Sequence, residues 1–355
     1  MDHETYDVEV AYNASTRKKW LYIMIIFILM AIAAIGTLFI AQLHMTVSDV
    51  IDVLIAHITG NTAGNPIFDL VVWEYNVPRA LLGVIVGSSL GVGGAIMQSI
   101  MRNPLATPYT TGVSAGASMG AALFVYLDIA ILWTGGYMSS VAINAIVFAM
   151  IPTLAILFVS QKKYVTPTTM ILAGIAMMYI FSSVTSLLML LADPTKVQEA
   201  YIWNVGSLGR ANWDNVGFVI ASVLPCMMIL YLLAQQVNLM NSGNVSAKSM
   251  GVNVKLVRNI CLITIAIMTA ITVGVTGGIG FMGLVAPHVS RMIVGSHIKY
   301  LVPCSAALGA LILLVADAVS RIIIPEGMPV GVITAVIGGP IFMLLLVRGS
   351  KKVWF

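Results

Sequence analysis

Apolar residues in this chain come in long unbroken runs rather than the narrow amphipathic stripes of a soluble domain. Ten runs can be delimited, at about 20–41, 78–100, 112–131, 139–160, 168–191, 214–234, 258–276, 281–295, 303–323 and 329–347. Most have the roughly 20 residues that an α-helix needs to cross a bilayer. The pattern predicts an all-α polytopic membrane protein with ten transmembrane helices. The eighth run is short and glycine-rich, so it is expected to tilt or to span only in part. The first run, Trp20 to Ala41, is too long for a signal-peptide core. It follows a polar leader carrying Asp2, Glu4, Asp7 and Glu9 and reads as a retained helix. The expected organisation is a tail over 1–19, one membrane domain over 20–348 and a second tail over 349–355.

Composition and charge sharpen this picture. The chain is 59% hydrophobic and 9% charged, against about 25% charged in soluble domains. If the N-terminus is cytoplasmic and ten spans alternate, only Arg79, Lys196, Arg210 and Arg321 of the 18 Lys and Arg fall outside. That asymmetry puts both termini in the cytoplasm. Trp20, Trp73, Trp133, Trp203, Trp213 and Trp354 sit at or beyond the ends of runs, where indole rings favour the interface. The basic residues are scattered singly at helix ends, which argues against nucleic-acid binding.

One stretch interrupts the helical pattern in an informative way. The run from Leu81 to Met101 meets Arg102-Asn103-Pro104-Leu105-Ala106-Thr107-Pro108, and a second run follows with Gly112, Gly116 and Gly120 four apart. Proline lacks the N–H and restricts its predecessor, so no helix continues through this stretch. Irregular backbone beside membrane spans is tolerated where protein or a water-filled cavity satisfies it. This is the behaviour of a constriction in a transport path. Small residues also recur at Gly83, Gly87 and Gly91, and at Gly331 and Ala335, a spacing that lets helices approach closely in lipid. Most of that spacing is helix packing. Ser114 and Ser118 are weaker candidates for lining a channel.

The segment from Gln235 to Arg258 predicts a long loop on the cytoplasmic side. Asn244 to Gly251 reads as a short helix capped by Asn244 or Ser246 and stopped by Gly251. Val252 to Arg258 reads as a second short segment, with Met250, Val254 and Leu256 available to a partner's groove or to a lipid surface. The residues alone do not separate these two readings. Gly243 followed by Lys248-Ser249 is not a phosphate-binding loop, because that motif needs Gly directly before Lys and a preceding strand.

On the outer side, Arg79 starts the second span and Arg321 ends the ninth. Asp317 stands four residues before Arg321, so an intrahelical pair competes with a water-facing role for that arginine. His288 lies in an apolar setting with no carboxylate nearby in sequence, and is read as a structural hydrogen-bonding residue rather than a proton relay. Cys226, Cys261 and Cys304 have no paired spacing and read as small buried hydrophobes. No metal-ligand cluster or nucleophile–base pair stands out, so no catalytic or metal site is expected.

Several blocks in order carry a family resemblance: Val77-Pro-Arg79, Gly94-Ala-Ile-Met-Gln98, Arg102-Asn-Pro-Leu-Ala106, Gly112-Val-Ser-Ala-Gly116, Ile171-Leu-Ala-Gly174, Gly277 to His288, Ala316-Asp317 and Pro329-Val-Gly-Val332. Over residues 20 to 348 the chain resembles the iron-siderophore/cobalamin permease family, the membrane subunits of type II ATP-binding-cassette importers. The resemblance implies a homodimer in the cell membrane with the substrate path between two copies. Two separate ABC ATPases would bind the ATP and magnesium, an extracytoplasmic binding protein would deliver the ligand, and this chain would bind no cofactor. It implies a cytoplasmic gate at Asn103 and Leu105 and a path-lining second gate at Thr166, Thr168 and Gly174. An ATPase-coupling segment is implied over 244–258, with Ser246, Lys248, Met250, Gly251, Val254 and Arg258. Arg79 and Arg321 match arginines that dock the binding protein. Family members often carry a further arginine where Asn76 stands, so one docking contact is missing or replaced.

The expected function is ATP-driven import of a metal chelate, an iron(III)-siderophore first, with cobalamin or haem as alternatives. An ion-coupled secondary transporter would need ionisable groups at mid-depth. Asp317, toward the outer end of its run, is the carboxylate placed nearest to that role.

Overall fold

The computed structural model describes residues 3–40, 45–61, 64–133, 136–162, 166–323 and 328–348, with side chains from residue 15 onward except at 345, 346 and 348. The helices are α1 (His3–Leu38), α2 (Val47–Thr59), α3 (Pro66–Asp69), α4 (Val77–Met101), α5 (Val113–Leu127), α6 (Tyr137–Ser160), α7 (Pro167–Leu191) and α8 (Pro194–Asn204). They continue with α9 (Trp213–Leu232), α10 (Ala234–Asn241), α11 (Asn244–Ser249), α12 (Val254–Thr276), α13 (Met282–Val294), α14 (Ile298–Ile323) and α15 (Val330–Arg348). Ten of them coincide with the ten apolar runs. Seven are long and apolar enough to cross a bilayer, while α5, α13 and the apolar part of α15 are shorter.

Helix α4 is the axis of the bundle, and the membrane window of its continuous Pro66–Met101 helix is 89% buried. Helix α14 runs against it at glycine contacts: a Cβ placed on Gly87 would stand 2.5 Å from the Gly309 carbonyl oxygen and 2.6 Å from Ala310 Cα. The same device brings Gly94 of α4 against Gly283 of α13, and Gly116 and Gly120 of α5 against Phe148 and Asn144 of α6. With no apolar–water contrast inside a bilayer, such backbone approach supplies the dispersion contact that holds helices together. On the far side of α14, Ile23 and Ile26 of α1 join Cys304, Ala307 and Leu308 in a separate apolar cluster.

Several elements depart from the sequence expectation. The polar leader is helical: α1 begins at His3 and runs unbroken into the first span. Helix α2 lies in a stretch with no long apolar run. It is fixed by a Thr46–Asp49 capping box, ended by Gly60 in the left-handed region, and seated by Val50, Val53 and Ala56. A seven-residue π turn, Leu70–Asn76, extends α4 backwards. Part of the expected loop from Gln235 is helix α10, which buries Ala234, Val237 and Met240. Helix α11 is not capped by a side chain of Asn244 or Ser246; its N-cap is Gly243. The segment from Val252 is no separate element, because helix α12 starts at Val254 and enters the bundle directly. Trp354 and the tail over 349–355 lie outside the described residues.

Candidate functional site

Two stretches of irregular backbone interrupt the bundle. The first is the link from α4 to α5. Arg102 adopts the left-handed conformation, ending α4, and the Asn103 carboxamide oxygen accepts the Leu105 amide at 2.9 Å. Thr107 and Thr110 close the turn reciprocally, each hydroxyl accepting the other's amide at 3.2 and 3.0 Å. Local side-chain acceptors thus replace the helix ladder that the prolines forbid. Leu105 is exposed at the tip, Asn103 is half-buried, and Ala106 and Thr107 are buried.

The second stretch joins α8 to α9 and α12 to α13. Val205 and Gly278 form a short parallel bridge, with Gly206 N–H on the Gly278 carbonyl at 3.1 Å and Ser207 N–H on that of Thr276 at 2.8 Å. Gly331, opening α15, donates to Gly206 O at 2.8 Å. Arg210 supplies the remaining donors, to the carbonyls of Ile202 at 2.8 Å and of Trp203 and Thr276 at 3.3 Å. Unwound backbone is thus satisfied by protein, as the membrane demands. Tyr109 ties the two stretches together, its hydroxyl accepting the Ile279 amide at 3.0 Å.

Helix α7 borders the first stretch. Gly174 packs on the turn: a Cβ there would lie 2.7 Å from Thr110 O and 2.7 Å from Thr111 Cα. Met170, Gly174 and Phe181 make its buried face. The opposite face carries Thr168, Tyr179, Ser182, Ser183 and Ser186, all exposed and within one helical stripe, together with exposed Leu172 and Leu190. Only 11% of the α7 membrane window is buried, less than in any of the other six long spans. Thr166 caps the helix, accepting the Thr169 amide at 3.3 Å. Ser118 of α5 donates to Asn204 at 2.6 Å, at the junction with the second stretch. Gly174 thus meets the Thr110–Thr111 end of the α4–α5 link, while Thr166 and Thr168 stand at the start of the same helix.

At the end of the bundle where α4 stops, Arg102 donates to the Met240 carbonyl of α10 and to the Asn244 carboxamide of α11, the latter at 3.3 Å. Arg258 of α12 reaches the same Asn244 oxygen at 3.4 Å. Ser246, Lys248, Met250 and Gly251 are exposed on and after α11, beside Val245 and Leu256. Val254 is not available to a partner: it is 4% exposed and packs in the main core. The buried role follows from its position in the first turn of α12, which has already turned inward. Arg102 was not among the expected site residues, although it opens the Arg102–Ala106 block directly after an apolar helix.

The two arginines at the opposite end face inward. Arg79 holds Asp317 through Nε–Oδ contacts of 3.0 Å and an Nη2–Oδ1 contact of 2.7 Å. Arg321 approaches the same carboxylate at 3.4 Å and donates to Asn76 Oδ1 and the Ile40 carbonyl, each at 2.9 Å. Their side chains are 18% and 10% exposed, and Asp317 is 2% exposed. Asn76, itself buried, also donates to the Leu38 carbonyl at 3.0 Å. Asn76 is thus a bridge between α1, the backward extension of α4, and α14. Nearby, Trp73 stacks on His57 at 4.0 Å and receives the Trp213 indole N–H on its carbonyl at 3.1 Å. His288 is buried with its ring edge-on to Phe342, and Cys226, Cys261 and Cys304 are buried free thiols. Among the described residues no group of three or more His, Cys, Asp or Glu could hold a metal ion.

A ten-helix bundle with a broken α4–α5 link, a short helix α11 docked beneath it and a second unwound crossing has the architecture of a type II ABC importer permease. A solved inward-facing structure, described as a metal-chelate type ABC transporter, superposes with a TM-score of 0.81 and 27% identity, covering 92% of this chain and 99% of its own. Residues 24–348 match the FecCD transport family, and the chain belongs to it. An iron(3+)-hydroxamate import system permease protein of Bacillus subtilis is 31% identical over 79% of this chain and 85% of its own. A vitamin B12 import system permease protein of Serratia proteamaculans is 34% identical over 79% of this chain and 82% of its own.

Proposed function

We propose that the chain is the membrane subunit of an ATP-driven importer that carries an iron(III)-siderophore from an extracytoplasmic binding protein to the cytoplasm. Two copies pair, with the path between them, and two ABC ATPase subunits seat on the α11 end. That end faces the cytoplasm, because Arg17, Lys18, Lys19, Arg102, Lys248, Lys255, Arg258 and Lys299 collect there. The observation carrying this reading is the hydroxyl stripe of α7. A face bearing Thr168, Tyr179, Ser182, Ser183 and Ser186, with exposed Leu172 and Leu190 among them, would give a wide water-filled path a wall of mixed polar and apolar groups. Its opposite face packs through Gly174 on Thr110 and Thr111, at the far end of the α4–α5 link, so displacement of that link would be transmitted to the path wall.

ATP binding would close the ATPase pair and pull on α11. Asn244 would pass that motion to Arg102 and Arg258, and Arg102 to the turn that begins with Asn103. The path itself offers hydroxyls and aliphatic groups rather than a charged pocket, so selection rests with the binding protein. Vitamin B12 or haem would use the same route. The ion-coupled alternative is weakened by Asp317, whose carboxylate is engaged by the Arg79 and Arg321 guanidinium groups.

The test is uptake into proteoliposomes holding the permease, its ATPase and the binding protein loaded in turn with ferric hydroxamate, cobalamin or hemin. ATP-dependent uptake of the ferric chelate alone is expected. Uptake that survives mutation of the ATPase's phosphate-binding lysine overturns the ATP-driven reading, and preference for another ligand overturns the cargo.

A further inference from the structure

At the α11 end, a cavity of about 570 Å³ opens between the α9–α10 junction and the start of α14, lined by Tyr231, Leu232, Asn238, His297, Lys299 and Tyr300 among others. It adjoins a second cavity of about 350 Å³ that shares Asn238 and His297 and ends on Arg291, Ser99 and Asn241. Arg291, 7% exposed, is fixed by its Nη1 donating to Gln98 at 2.7 Å. The two cavities thus meet at Asn238 and His297, with the Arg291 guanidinium lining the second. Lys19 of α1 stands over the Tyr300 ring at 5.2 Å, and Lys299 lies over the same ring at 5.9 Å.

Three features of this crevice call for an anion. Lys19, Lys299 and Arg291 converge on it. Among the described side chains no carboxylate is near: Asp52, Glu74, Asp128, Glu199, Asp317 and the rest sit on elements of the opposite end. The first turn of α14 points into it, with Ile298 N–H held by Asn238 at 3.4 Å, so the positive end of a 26-residue helix adds to the field. Burial, then Lys19 and Lys299, lower the pKa of His297.

Two further features identify the occupant. The mouth opens beside exposed Tyr231 and Leu232, and Trp20 sits edge-on to Tyr300 at 5.6 Å with 40% of its surface exposed. These rings mark headgroup depth. Beyond them α1 exposes Met24, Ile28 and Ile32 in a continuous apolar strip, which suits an acyl chain.

We propose that this crevice binds the phosphodiester headgroup of an anionic phospholipid, with Lys19 and Lys299 at its mouth, Arg291 at its inner end and Tyr300 as its wall. Basic crevices between spans at the cytoplasmic surface are suited to such headgroups. The proposal rests on the orientation argued above only for the choice of leaflet. Nanodisc binding is read without reference to leaflet, so a wrong orientation and a wrong site give different results.

The full-length permease would be placed in phosphatidylcholine nanodiscs with increasing phosphatidylglycerol or cardiolipin, and retained lipid counted by native mass spectrometry. Wild-type protein is expected to retain anionic lipid selectively. Lys19→Gln and Lys299→Gln should each weaken retention about fivefold, the effect of one surface lysine on an anionic headgroup. Lys299→Arg should restore it, which separates charge from folding. Equal retention by wild type and the double glutamine variant overturns the proposal. So does binding of inorganic phosphate or glycerophosphate as tightly as lipid, which would make the ligand a soluble anion. Loss of ATPase-subunit affinity with unchanged lipid retention would assign the lysines to a protein contact instead.

Discussion

Asp317 of α14 accepts hydrogen bonds from Arg79 of α4 through both carboxylate oxygens, across 238 residues of sequence. The pair is almost dry, and a second guanidinium, that of Arg321, stands beside it. Removing one partner of such a pair leaves uncompensated charge in a low-dielectric setting, at a cost of about 3–5 kcal/mol. Asp317→Asn should therefore destabilise the purified permease strongly, because two neighbouring arginines lose their shared counter-ion. If the arginines serve chiefly as docking contacts, Arg79→Ala should instead lower affinity for the binding protein while leaving thermal stability intact. Melting of each variant, read beside binding-protein affinity, separates the two roles. A double-mutant cycle between Arg79 and Asp317 should give a coupling well above that of exposed ion pairs.

Tyr109 offers a subtler probe. Its hydroxyl is the acceptor for the Ile279 amide, and Tyr109→Phe keeps the ring while orphaning that donor. A buried unpaired N–H costs about 1–3 kcal/mol. The variant should fold, lose stability within that range, and show faster amide exchange over Gly277–Met282. Unchanged exchange there would mean that water or another group replaces the hydroxyl.

Arg102 and Asn244 join the α4–α5 turn to α11. If force passes through this contact, Asn244→Ala should leave basal ATP hydrolysis near wild type while lowering uptake per ATP hydrolysed. Loss of a charge-assisted hydrogen bond of about 1.5–3 kcal/mol predicts a tenfold or greater fall in that ratio. Equal losses of hydrolysis and uptake would show that Asn244 only holds the fold together.

The α7 stripe makes a spatial prediction. Cysteine at Ser182 or Ser186 should react with membrane-impermeant maleimide in the assembled transporter, whereas cysteine at Met170 or Phe181 should not, because those side chains are buried. The native thiols give a low background, since all three are buried. Protection of Ser182 and Ser186 together with Met170 would place the stripe against lipid or another helix.

What the sequence disclosed divides along physical lines. The ten spans were legible because a bilayer imposes a length and a composition that few other structures share. The α4–α5 break was legible because two prolines and an Asn-Pro step leave the backbone no helical option. Helix α2 was not, since its 13 residues are too short for a span and polar residues interrupt its apolar ones, and α10 was too short to show a period. The fate of Arg79 was hidden for another reason. Sequence offers Asp317 to Arg321 at four residues' distance, but the stronger partner is set by α4 lying along α14. Val254 looked available because the loop-to-helix boundary could be drawn only to within a few residues.

That α4–α14 contact carries the last prediction. A methyl group on Gly87 would meet main-chain atoms, 2.5 Å from Gly309 O and 2.6 Å from Ala310 Cα. Helix backbones cannot move aside locally, so the whole interface must open. A methyl group on Gly83, one turn earlier, would meet side-chain carbons, Leu314 Cδ2 at 3.0 Å and Leu208 Cδ1 at 3.2 Å, and a leucine can shift by a few tenths of an ångström. Alanine also restores helix propensity of up to about 1 kcal/mol relative to glycine. Gly83→Ala should thus be close to neutral, the propensity gain offsetting slight crowding. Gly87→Ala should destabilise by about 1–3 kcal/mol or more through overpacking. The pair, compared by thermal inactivation in the same detergent, tests whether backbone approach rather than small-residue content holds α4 against α14. Equal effects at the two positions would remove that distinction and point instead to a loosely packed α4–α14 seam.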